Sequence, residues 1–418
     1  MGHGDGLASP NFSCRFCGAP LRTTFVDLGM SPLCQTHIES HQLHQMEPFY
    51  PLHAYVCDQC FLVQLQEFVS PQNIFGEYAY FSSYSTTWVE HARRYSEMAA
   101  ARFSLGSGSK VVEIASNDGY LLQHFAALGI PVLGIEPAAN VARVAIDKGI
   151  PTRIDFLGRE TAKAIARDEG QADLLLGNNV LAHVPDLNDF VAGMKCLLAP
   201  RGVITMEFPH LQRLMAENQF DTIYHEHFSY FSFVAVERVF AHHGLAIFDV
   251  EEWPTHGGSL RIYAQHVEHA GVPTCESVTA LRRREINDGF LTIDRYRGFE
   301  AQVRETKRKL LSFLIDAKSR GKRVVGYGAP GKGNTLLNYC GIRNDFLDFT
   351  VDANPYKQGK YTPGTRIPIL APEQIREARP DYVLILPWNL KDEIARSASY
   401  ISEWGGRFVV PIPSVQVL

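Results

Sequence analysis

Between residues 110 and 209, apolar runs of strand length alternate with runs of helical periodicity. KVVEIA, PVLGIEP, ADLLLGNN and GVITMEFP are separated by GYLLQHFAALG, NVARVAIDKG and LNDFVAGMKCLLAPRG. Short, continuously apolar strands are those buried on both faces, and parallel neighbours can be joined only by a crossover, usually a helix. This order predicts an α/β domain built on a doubly wound parallel sheet.

At 418 residues with 45% hydrophobic side chains, the chain exceeds one core, because domains run to about 100–200 residues. Three blocks are expected: 1–75, 76–270 and 271–418. In the last, the charged helical stretch LRRREINDGF…KRKLLSFLIDAKSRG leads into a second, smaller strand–helix alternation. The formal charge of −5 and pI near 6.3 provide no basic stripe for a nucleic acid. The opening MGHGDGLASP has no apolar signal core, and no run approaches the roughly 20 apolar residues that span a bilayer. A cytoplasmic protein with no membrane partner is expected, of open oligomeric state with a monomer plausible.

Of eight cysteines, four form two C-x2-C knuckles, Cys14/Cys17 and Cys57/Cys60, separated by 39 residues. Two such pairs can close a tetrahedral site around one Zn²⁺, and with four thiolates the site is structural. Block 1–75 shows too little apolar periodicity for its own core, so a metal would supply what burial cannot.

Polar residues recur where the strands of the second block end. Glu113 ends the first strand and Ser116-Asn117-Asp118-Gly119 form its turn; Glu136-Pro137 end the second, and Asn178, Asn179 and His183 follow the third. In open α/β sheets ligands bind outside these carboxyl ends, and a carboxylate placed like Glu136 accepts ribose hydroxyls. Each residue alone could be a helix cap. Together, and without G-x-G-x-x-G, they favour S-adenosylmethionine. The competing signal is VVGYGAPGKGNT. There Gly326, Gly328 and Gly331 match a dinucleotide fingerprint, while Gly333 replaces the Ser/Thr a P-loop requires.

The segment Tyr224-His225-Glu226-His227-Phe228-Ser229-Tyr230 is not H-E-x-x-H and so not a zinc-protease site. As a strand it would send Tyr224, Glu226 and Phe228 to one face and His225, His227 and Ser229 to the other; in a loop they could converge. It reads as a catalytic cluster or as an aromatic strand with satisfied histidines.

Taken in order, the knuckles, FSSYS (81–85), EIASNDGYLL, NNVLAHVPD, YHEHFSYFS, HGGSLR (256–261) and GYGAPGKGNTLLN resemble the sugar C-methyltransferases of deoxysugar and antibiotic biosynthesis. The resemblance covers essentially the whole chain. It implies a zinc-binding N-terminal domain, a Rossmann-like S-adenosylmethionine domain and a C-terminal Rossmann-like domain for the nucleotide-sugar. It further implies methyl transfer to C3 of a nucleotide-linked 4-keto-deoxy sugar, with dTDP expected over GDP as carrier. By this similarity His227 is the base that forms an enolate, a task suited to a group titrating near working pH. Tyr224, Glu226, Tyr78 and His183 are its catalytic companions. Tyr80, His225, Gly328, Gly331, Lys332, Asn334, Trp388 and Asn389 are expected near the sugar nucleotide. Ala115 departs from the glycine common in such enzymes. A sugar O-methyltransferase, an NAD-dependent sugar oxidoreductase or epimerase, and a noncatalytic zinc-ribbon binding protein are the alternatives.

Overall fold

The computed structural model describes residues 12–70, 72, 81–84, 86–269 and 271–418. Its largest sheet has seven strands, in the order Leu245–Trp253, Ser259–His266, Leu198–Pro209, Ala172–Asn178, Val111–Ile114, Val132–Ile135 and Thr152–Arg153. The five strands from Leu198–Pro209 to Thr152–Arg153 are mutually parallel, and Val111–Ile114 is buried throughout, Glu113 included. The final pair departs from the all-parallel expectation. Ser259–His266 inserts antiparallel between its hairpin partner and Leu198–Pro209, because the short turn 254–258 is far below the dozen or so residues that a parallel crossover needs.

A six-stranded sheet follows, in the order Ile369–Leu370, Thr350–Val351, Val324–Tyr327, Tyr382–Ile385, Arg407–Val410 and Gln416–Val417. Only its last strand is antiparallel. The strand order reverses between Val324–Tyr327 and Tyr382–Ile385, so the loops after these two strands flank the switch point.

The third sheet bears most directly on the site. Thr23–Ser31, Tyr50–Val56 and Val63–Leu65 come from the cysteine-bearing block, and the fourth strand, Ser229–Tyr230, comes from the histidine-rich segment. This sheet buries Phe25, Val26 and Leu52 in one continuous core with Leu310, Leu314 and Leu336 of the C-terminal region, and Phe25 stacks on Phe299 at 4.6 Å. Long-range burial thus supplements what a metal would contribute, a support that local periodicity does not reveal. Among the described residues no helix is long and apolar enough to cross a membrane.

A buried carboxylate secures the chain after the histidine-rich segment. Glu285, on helix Glu276–Asn287, accepts the N–H groups of Phe233 (2.8 Å) and Val234 (2.9 Å) at the start of helix Phe233–His242, and meets His210 Nε2 at 2.6 Å. Glu285→Ala strands these partners in a dry interior and is expected to destabilise the fold by about 3 kcal/mol or more, measurable as a shift in urea midpoint.

Candidate functional site

A cleft of about 490 Å³ opens at the carboxyl edge of the seven-stranded sheet and is closed by segments from all three sheets. On the cofactor side it is lined by Ile114, Ala115, Asn117, Glu136, Pro137, Asn178 and Asn179. The turn after Val111–Ile114 is left-handed at Ala115 (φ 56°) and Asn117 (φ 50°). Glycine takes such a conformation freely, whereas alanine pays about 1–2 kcal/mol. That is the physical content of the departure at residue 115. Asn117 N–H and Ala138 N–H donate to the two oxygens of Glu136 at 3.0 and 2.9 Å. Each oxygen keeps acceptor capacity for a hydroxyl.

Asn178 hydrogen-bonds the Tyr120 hydroxyl. Asn179 Oδ1 is buried with no hydrogen-bond partner among the described residues, as expected of a group that meets a polar ligand. The same holds for both oxygens of Glu113, whose pKa is raised by burial and by the charges of Glu136 and Asp118. Glu113, Ser116, Asp118 and Gly119 lie behind the cleft wall rather than in it. Ser116 packs where a side chain at Gly134 would stand, Asp118 pairs with Lys148 at 3.3 Å, and Gly119 (φ 76°) packs against Ala145 and Ile150.

Across the cleft stand His183, Tyr224, Glu226 and His227. Residues 223–228 form a turn rather than a strand, and this turn lets Tyr224, Glu226 and His227 converge. The Tyr224 and His227 rings are 4.0 Å apart, and His183 meets His227 edge-on at 4.7 Å. His227 Nδ1 lies 2.8 Å from the Thr222 carbonyl. A carbonyl can only accept, so Nδ1 carries the proton and Nε2 keeps its lone pair. Burial, with the charges of His183, His256 and Lys332, holds the His227 pKa well below the usual histidine value. Burial lowers His183 to about 4 and raises Glu226 to about 7, opposed by a 3.4 Å hydrogen bond from the Cys34 thiol. His225, expected near the sugar nucleotide, is not among the residues lining the cleft. The turn sends it away from the cleft, to the Pro51 carbonyl at 3.2 Å and the edge of Tyr50.

From the C-terminal sheet, Pro330, Gly331 and Lys332 reach the cleft. Gly328 and Asn334, also expected near the sugar nucleotide, are not among its lining residues. A side chain at Gly328 would strike Pro387 at 2.6 Å. Asn334 Nδ2 donates to the Cys34 carbonyl at 2.6 Å, and Thr335 donates to the Ile223 carbonyl at 3.1 Å. The glycine-rich turn therefore packs against protein where a dinucleotide would need room. Trp388 and Asn389 line a neighbouring cavity of about 440 Å³ and touch the first site through Trp388 Nε1–Asp221 Oδ2 (2.8 Å) and Lys332 Nζ–Asn389 Oδ1 (2.7 Å). Tyr78 and Tyr80 lie outside the described residues.

The four knuckle sulfurs lie within 4.8 Å of one another, with Cys14–Cys60 and Cys17–Cys57 each at 3.5 Å. Tetrahedral Zn²⁺ with bonds of about 2.3 Å places sulfurs about 3.8 Å apart, so the donor set and its spacing fit that ion. The knuckles connect directly to the histidine turn. Gln64 Nε2 donates to Cys14 Sγ (3.2 Å), Arg15 N–H donates to Gln64 Oε1 (2.9 Å), and Leu65 N–H donates to the Phe228 carbonyl (3.0 Å). The Arg15 guanidinium also binds the Leu65 and Pro185 carbonyls.

Gln35, Asp221 and His256 were not singled out from the sequence as site residues, yet Gln35 and His256 line the cleft and Asp221 backs it. His256, in a strained left-handed conformation (φ 56°) against Trp88, was marked in the sequence only as the first residue of HGGSLR. The carboxyl of Asp221 is pushed up by burial to about 7.

Residues 14–75 match the family model described as "Putative zinc binding domain", residues 88–250 the model "Methyltransferase domain", and residues 254–413 the model "C-methyltransferase C-terminal domain". C-methyltransferase NovU of Streptomyces niveus is 36% identical over 414 residues, spanning 99% of this chain and 98% of that protein. A ubiquinone biosynthesis O-methyltransferase of Cupriavidus pinatubonensis is 31% identical over 100 residues, 23% of this chain and 39% of that protein. The solved magnesium protoporphyrin IX methyltransferase of Synechocystis PCC 6803 with bound SAM aligns with a TM-score of 0.32 at 14% identity, over 46% of this chain and 88% of that one.

Proposed function

Because this chain belongs to the C-methyltransferase family, we propose that it methylates C3 of a nucleotide-linked 4-keto-deoxy sugar, with His227 as the base that forms the enolate. The observation that carries this reading is His227 itself: neutral, buried in the cleft, its Nδ1 proton committed to Thr222 and its Nε2 left to accept a proton. A ketone acidifies the neighbouring C–H by delocalising charge onto oxygen. A desolvated neutral imidazole can take that proton without a metal ion. Tyr224, stacked on His227, would donate to the developing enolate oxygen, and His183 helps to keep His227 neutral through its electrostatic field. Glu226, its carboxyl raised to about 7, would hydrogen-bond a sugar hydroxyl.

S-adenosylmethionine, when bound, supplies an electrophilic methyl group: the enolate pair forms the new C–C bond and the S–CH₃ pair stays with sulfur. Asn117, Glu136, Asn178 and Asn179 would hold it, with Glu136 facing the ribose hydroxyls. The knuckles would hold a structural Zn²⁺ that keeps Val63–Leu65 paired with Ser229–Tyr230 and thereby fixes the histidine turn.

The test is proton exchange. A nucleotide-linked 4-keto-6-deoxy sugar in D₂O should gain deuterium beside the ketone with the wild-type protein and fail to do so with His227→Asn. No exchange by the wild type across dTDP and GDP carriers would refute carbon methylation in favour of an oxygen acceptor. The depressed His227 pKa has a definite sign: the free base persists as pH falls. Exchange should therefore stay level through about pH 6.5, the ordinary histidine value, and decline only below it. For the knuckles, one zinc per chain is expected by elemental analysis, and Cys57→Ser should lower both zinc content and melting temperature.

A further inference from the structure

The glycine-rich turn after Val324–Tyr327 has the spacing of a phosphate cradle, yet its glycines meet protein atoms. Cβ atoms built at Gly326, Gly331 and Gly333 would press on Thr350, Cys34 and Leu386. Of the turn's charged or hydrogen-bonding side chains, Lys332 lines the cleft, whereas Asn334 and Thr335 are committed to backbone carbonyls of other segments. Its ammonium donates to Asn389 Oδ1 at 2.7 Å and lies 4.8 Å from the centre of the Trp388 ring. Among the described residues no carboxylate stands within ion-pair distance of it. Burial lowers the pKa of Lys332 and Asp221 opposes that shift; one oxygen of Asp221 accepts the Trp388 indole N–H, and burial pushes its carboxyl up to about 7. A desolvated cation without an anion is costly, and such groups persist where a ligand brings the negative charge. Its field reaches both His227 and His256, so it acts in the space where the proton is removed.

We infer that Lys332 is a catalytic residue of the C-methylation proposed above, delivered from the C-terminal sheet to face the sugar's enolate oxygen. In that step His227 Nε2 takes the C3 proton, the C–H electron pair becomes the C3–C4 π bond, and the carbonyl π pair moves onto O4. The charge that appears there faces the ammonium. Asn389 and Trp388 hold the side chain without supplying a counter-charge, so its charge faces O4 in the transition state.

The inference rests on the enolate reading, and exchange with dTDP-4-keto-6-deoxyglucose in D₂O separates the two. Absence of exchange by the wild type overturns both. With wild-type exchange present, Lys332→Met should slow exchange at saturating sugar about 100-fold, the size of effect seen when one oxyanion donor is lost, while dTDP binding by calorimetry stays within about twofold. Lys332→Arg should recover part of the rate. Saturating exchange unchanged in Lys332→Met overturns the inference, as does weakened dTDP binding with exchange intact, which would make Lys332 a diphosphate ligand. Asn389→Leu, which leaves the lysine but releases it, should slow exchange several-fold. If Lys332→Met does not fold, an unchanged rate in Asn389→Leu overturns the inference.

Discussion

The two backbone hydrogen bonds of one residue, Phe228, hold the site together. The N–H of Phe228 donates to the Ala182 carbonyl at 2.7 Å, beyond the third parallel strand, and its carbonyl accepts Leu65 N–H from the cysteine-bearing sheet at 3.0 Å. Residue 227 is thereby tied to the cofactor side of the cleft and to the knuckles at once. Thr335 adds a third anchor from the C-terminal helix through Ile223. A base must stand within hydrogen-bonding reach of the proton it removes. The proposed base, His227, is positioned by hydrogen bonds to three separate parts of the chain rather than by one loop.

Dryness is the second constraint. His183, His227 and His256 are all kept from protonating by burial, while Glu226 and Asp221 are pushed toward their neutral forms. In a low-dielectric cleft, the proposed ammonium and neutral imidazole would act on developing charge far more strongly than they would in water. This arrangement suits a reaction that passes through an enolate.

Much of the architecture was legible because it is written in local patterns. Largely apolar four-residue strands, crossover helices and paired knuckles have period or spacing as their signature. The Tyr224–Tyr230 cluster was legible as chemistry but not as geometry. Adjacent residues in a turn point in directions no period predicts, so His225 goes to Pro51 while Tyr224, Glu226 and His227 share the cleft. Gly328 and Asn334 were expected near the sugar nucleotide from the resemblance; their packing against Pro387 and Cys34 is long-range and could not be read from the sequence. Long-range pairing is also what hid the fourth strand of the N-terminal sheet, contributed from 164 residues beyond its neighbour.

The central claim is that the new bond forms at carbon. S-adenosylmethionine carrying a ¹³C-labelled methyl group, incubated with the protein and a dTDP-linked 4-keto-6-deoxy sugar, tests it most directly. A labelled methyl resonance in the aliphatic C–CH₃ region, correlated with the ring carbon beside the ketone, is the predicted result; a methoxy resonance from an oxygen-linked methyl would contradict it.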